Sequence, residues 1–123
     1  RYSEFISICR SPTHKQRITL KLIAKKADVK FDSRNCLSLY RALSGITYLT
    51  ISNRDLEDIS PLIFAVNLHA LTLSMCSIKH IEPLGSLKKL KKLNLAFNRD
   101  CQLKYIIFLT LSFYNDIPLL SCS

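Results

Sequence analysis

The sequence predicts an α/β repeat solenoid, a parallel β-sheet with irregular return segments and a helical cap at its N-terminal end. Three observations predict it. Apolar positions repeat at a shift of 22 residues from Gly45 onward. Within each unit, a strand-like alternation gives way to a return segment that carries a proline. The first 44 residues lack this period and have helical patterning instead. The expected organisation is therefore a cap over residues 1–44 and repeats over residues 45–123, regular to about residue 98.

The cap comes first along the chain. A short helix fits Ser3 to Cys9. Ile18, Leu20, Leu22, Ile23, Ala24 and Ala27 stand among lysines in a helix-compatible segment. Ser33 or Asn35 is placed to cap a further helix running through Leu37, Leu39, Tyr40 and Leu43, with Gly45 closing it. Helices at this place would cover the open edge and the apolar end of a stack of coils, which a solenoid needs for solubility.

The repeats follow. With Gly45 to Val66 set above Asn67 to Lys88, Ile46 meets Leu68, Leu49 meets Leu71 and Ile51 meets Leu73. Leu56 then meets Ile78, Ile59 meets Ile81, Pro61 meets Pro83 and Leu62 meets Leu84. A second shift of 22 reaches Leu90, Leu93, Leu95 and Asn98. Leu49 and Ile51 alternate with Tyr48, Thr50 and Ser52, a period of two that marks a strand. Leu56 and Ile59 cannot continue that period, so the chain must curl to bring them inward. Proline suits the return because it fixes φ and needs no ladder partner. One coil cannot bury such a face alone, whereas stacked coils bury it continuously.

These residues resemble the leucine-rich repeat family, in the 22-residue bacterial form of internalin-like proteins. Its pattern LxxLxLxxNxIxDIxPLxxL stands here as IxxLxIxxRxLxDIxPLxxA from Ile46 to Ala65, and as LxxLxLxxCxIxHIxPLxxL from Leu68 to Leu87. The resemblance implies that the Asn of the turn bonds backbone groups, a place that Cys76 and Asn98 fit and Arg54 does not. It also implies a helical segment before the first repeat, a protein as partner and a secreted or cell-surface location.

From Asp100 the pattern degrades. Asp100 falls where Leu56 and Ile78 were, and Tyr105 replaces the proline. The run Ile106 to Phe113 is strand-like and uncharged, which marks it as a surface for self-association or for further repeats.

Composition removes most chemistry. Two glycines leave no room for a phosphate-cradling loop. None of the five cysteines stands in CxxC spacing, and His14, His69 and His80 fall in no zinc pattern. Nothing in the sequence brings a His, a Cys and an Asp together, and no pair of carboxylates is placed for acid–base work, since Asp55, Glu57 and Asp58 share one turn. The expectation is no catalytic residue, no metal and no cofactor. Cys9 and Cys36 both fall in the cap and would bridge its helices if the chain matures in an oxidising compartment. The chain starts at Arg1 rather than Met, which reads as a processed or cut product, and no signal-peptide order follows it. No apolar run reaches the ~18 residues a membrane helix requires.

The net charge of +9 suits an acidic partner. The cations are dispersed, however, with Leu87 to Leu93 the densest stretch, and this argues against nucleic acid or membrane as the partner. The best candidates for function are polar residues between inward leucines. They are Tyr48, Thr50 and Ser52, then Thr72 and Ser74, then Lys92 and Asn94, with His69 and Lys91 at the strand starts. Stacked in columns, they would form a concave face only about 15 Å wide, for strands ~4.8 Å apart. The expected function is non-catalytic protein binding on that face. One alternative is a structural or capping fragment of a larger repeat protein. Another is an electrostatic binder using Lys88, Lys89, Lys91 and Lys92.

Overall fold

A computed structural model describes residues 1–98. Three helices come first: α1 (Tyr2–Arg10), α2 (His14–Lys26) and α3 (Cys36–Gly45). Three strands follow: β1 (Tyr48–Ser52), β2 (Ala70–Ser74) and β3 (Lys92–Asn94). Short 3₁₀ helices, Ser60–Phe64 and Glu82–Ser86, lie in the two returns and start with the expected prolines at N1 or N2.

Each helix forms around its apolar stripe. In α1 the buried pair is Phe5 and Cys9, one turn apart. In α2 the buried residues are Thr19, Leu20, Ile23 and Ala24, and in α3 they are Cys36, Leu39 and Leu43. The second helix begins at a capping box: the Thr13 hydroxyl accepts from Gln16 N, and the Gln16 side chain accepts from Thr13 N. Lys25 and Lys26 complement the dipole at its end.

Both expected caps of α3 require correction. Asn35 holds the N-cap position, but its amide reaches back to Lys30 O instead of capping, and Ser33 lies outside the cap. Gly45 does not close the helix in a left-handed turn, because it is the last helical residue and no glycine has positive φ.

The strands form one parallel sheet in the order β1-β2-β3. Tyr48 pairs with Ala70, Leu49 with Leu71, Thr50 with Thr72, Ile51 with Leu73 and Ser52 with Ser74. The next pairing sets Ala70 beside Lys92, Leu71 beside Leu93 and Thr72 beside Asn94. The 22-residue shift is therefore the register of the sheet. Leu49, Ile51, Leu71, Leu73 and Leu93 point inward, and Leu56, Ile59, Leu62, Ile78, Ile81 and Leu84 complete the core from the return side. At ~25 cal/mol per Å² of apolar area, this shared interior outweighs any single polar contact.

The helices seal the first coil. Phe5 of α1 meets Phe64 of the first return edge-on at 5.1 Å, and Tyr40 of α3 stacks obliquely on Phe5 at 5.4 Å. Asn67 Nδ2 donates to Ser44 O at 2.6 Å, tying the end of α3 to the start of the second repeat. Among the described residues no helix is long and apolar enough to cross a membrane.

Candidate functional site

Strand alternation decides which side chains face outward. The β1 positions Tyr48, Thr50 and Ser52 are exposed, with Tyr48 at 74%. Ala70, Thr72 and Ser74 of β2 are half-buried because strands flank them on both sides. Lys92 and Asn94 of β3 are exposed. The sheet thus brings seven of the nine candidates onto one face in three aligned rows. His69 and Lys91 stand at the strand starts, linked through the backbone: His69 N donates to Thr47 O and Lys91 N to His69 O, each at 2.8 Å.

These side chains differ in how far the protein already uses them. The Ser52 and Ser74 hydroxyls bond each other at 2.9 Å across one repeat. Asn94 Oδ1 accepts from Ala96 N, so Asn94 is partly committed to its own turn. His69 is half-buried, and its Nδ1 is buried without a partner. Tyr48, Thr50, Thr72, Lys91 and Lys92 project with no side-chain bond among the described residues. Of the four lysines in the basic stretch, two are tied down, Lys88 to Gly85 O and Lys89 to Asn67 Oδ1.

Asn98 and Cys76 occupy the turn positions beneath this face. Asn98 is buried; its Oδ1 accepts from Cys76 N and Ile78 N at 3.0 Å, and its Nδ2 donates to Leu73 O and Leu95 O at 2.7 Å. Cys76 sits equally deep, with Sγ 3.4 Å from Ile51 O. Burial raises its pKa, so it is a protonated structural thiol. Arg54, the departure from the pattern, is exposed.

Cys9 and Cys36 lie together inside the cap as free thiols, 1% and 5% exposed. Burial, followed by a hydrogen bond that the protonated Cys9 donates to Cys36, pushes the Cys9 thiol up to about 12. Cys101 and Cys122 lie outside the described residues, as does the Ile106 to Phe113 run. Among the described residues, no cluster of three His, Cys, Asp or Glu side chains could hold a metal. A cleft of about 390 Å³ beside the first return is lined by Lys15, Asp55, Glu57, Ser77, Lys79 and His80, and Lys15 pairs with Glu57 there at 2.7 Å.

Two residues escaped the sequence reading. Met75, directly after β2, and Phe97, three residues past β3, are 51% and 57% exposed, and both adopt left-handed backbone. Asn53 takes the same conformation at the same place in the first repeat. The 22-residue register, applied to this position, would have aligned the three.

No family model and no curated protein matches the chain. Solved structures do. An internalin C2 of Listeria monocytogenes superposes with a TM-score of 0.54 at 25% identity, covering 71% of this chain and 36% of its own. Another internalin of that organism, inlF, gives a TM-score of 0.57 at 19% identity, covering 97% of this chain and 33% of its own. The fold is therefore an internalin-like leucine-rich repeat solenoid, and the chain spans about a third of the length of these structures.

Proposed function

We propose that the chain is a non-catalytic protein-binding module that presents the outward sheet face as a concave recognition surface. One observation carries this reading. The repeat register holds Tyr48, Thr50, Thr72 and Lys92 in fixed rows, and their side chains are unengaged by the rest of the described protein. A surface ordered in advance loses little entropy on binding, so affinity can come from preorganisation. In this reading residues 1–44 act as the cap and residues 45–123 as the recognition unit. Ser52, Ser74, Asn94, His69 and Lys91 frame the central rows.

A pull-down with the wild-type chain, repeated with Tyr48, Thr72 and Lys92 all changed to Ala, tests the proposal. The triple variant should keep the wild-type melting temperature and lose its partner. Undiminished capture by a folded triple variant sinks it.

A second reading has its own support. The chain spans only 36% and 33% of the two internalins, so it also suits a capping piece of a longer repeat protein. Fusion to further repeats would then raise its stability through nearest-neighbour burial. Electrostatic binding to nucleic acid or membrane has less support, since Lys88 and Lys89 are engaged within the chain. Its signature is an affinity that falls steeply with salt.

A further inference from the structure

We propose that the sheet face is a two-ended template for an acidic, extended protein segment, with cations at the start of the third strand and an apolar anchor past the ends of the second and third. This deepens the protein-binding reading and rests on it.

The apolar end is built against the local preference of the backbone. Met75 has φ 53° and Phe97 φ 60°, a region that bulky side chains seldom enter and Asn enters readily. Asn53 shows that the fold accepts Asn at this place. The second and third repeats instead carry large apolar side chains, more than half exposed, in the turns that follow neighbouring strands. Local strain and solvent-exposed apolar area both oppose the choice, and a contact made with something else accounts for it.

The cationic end lies at the other side of the same rows. Lys92 opens β3, Lys91 precedes it, and both are exposed. No carboxylate occupies an outward position of any of the three strands. From Ala70 to Met75 the backbone advances roughly 16 Å at ~3.3 Å per residue, the reach of about five extended residues. Between the two ends lie small hydroxyl side chains that a passing backbone can approach.

Charge selects the occupant. A second copy would bring the same lysines against themselves across a two-fold interface, and each chain carries +9. A segment with carboxylates at one end and an aromatic or aliphatic side chain at the other satisfies both ends.

Three synthetic peptides of identical composition provide the test. One has a glutamate cluster and a Phe-Leu pair separated by about five Gly/Ser residues, the second has them adjacent, and the third has them intermixed. The spaced peptide should bind about tenfold tighter than the other two, and more weakly as salt rises. The double variant Met75→Asn, Phe97→Asn should erase that advantage while melting no lower than wild type, because Asn suits the left-handed backbone. Equal binding of the three peptides, binding of none, or an advantage that survives in the double variant overturns the template. If the natural partner is lost on changing Tyr48, Thr72 and Lys92 but kept on changing Met75 and Phe97, the binding face stands and the two-ended template falls.

Discussion

The hydroxyl of Thr19, in the middle of α2, donates to the main-chain carbonyl of Asp58 in the first return, 39 residues away. Thr19 is fully buried, and it joins the helical segment to the repeat segment through one directed bond. Asp58 continues the joint, because its Oδ1 accepts from Ser60 N at 2.8 Å and fixes the start of the 3₁₀ turn. The helices are therefore fastened to the solenoid by polar geometry as well as by the Phe5, Tyr40 and Phe64 cluster.

Replacing Thr19 with Val keeps the shape and deletes the donor. The expected loss is about 1–3 kcal/mol, the cost of leaving a carbonyl unsatisfied, and Thr19→Ser should recover most of it. Urea unfolding of the three proteins checks this; equal midpoints for wild type and Val would show that the bond contributes nothing.

The inward and outward positions of β2 should respond very differently to truncation. Leu71→Ala removes a buried side chain and should cost ~2–5 kcal/mol, whereas Thr72→Ala should fall within about 1 kcal/mol of wild type. Thermal melts of both variants decide the matter. Similar shifts would contradict the register.

Cys9 links stability to alkaline pH. Its folded pKa, about 12, lies above the ordinary thiol value of 9.0. The folded chain therefore keeps a proton that the unfolded chain releases, and this contribution is intact below pH 9. Above pH 9 it should be lost, at up to about 1.4 kcal/mol per pH unit, until the pH passes the folded pKa. Comparison with Cys9→Ala isolates the thiol from lysine and tyrosine titration. Parallel stability curves for the two proteins above pH 9 would refute the linkage.

In an oxidising compartment Cys9 and Cys36 should join. Protein from such a source, digested without reductant, should yield their two peptides linked, while cytosolic protein should yield free thiols. Free thiols from the oxidising source would exclude the bridge.

The repeats were legible in the sequence because their physics is periodic. An inward leucine must recur wherever a coil needs filling, so the shift of 22 shows both the strands and their pairing. Thr19 was not legible. A threonine within a helical stripe has no pattern that names its acceptor, since Asp58 comes near only once the first coil has closed. The α3 caps misled for a related reason. Asn35 and Gly45 have the right residue types, but Lys30 O draws the Asn35 amide away and the chain leaves Gly45 through an extended Ile46. Thr13 and Gln16 stood in capping-box spacing and went unread. On the sheet face, Tyr48, Thr72 and Lys92 followed from alternation alone, whereas Met75 and Phe97 depend on a backbone twist just beyond the strands.

Asn98 gives the stack a direction of assembly. Its carboxamide supplies the acceptor for the Cys76 and Ile78 amides, so the second coil is laced by an atom that belongs to the third. Cys76 stands in the same relation to the coil before it, through its contact with Ile51 O and its own carbonyl accepting from Leu56 N. A chain emerging from the ribosome would hold each coil unfinished until roughly one more unit had been synthesised. The two ends are thus unequal under trimming. Loss of a unit from the carboxyl side unlaces its neighbour as well, while the coils downstream of a cut on the amino side keep every lace they had.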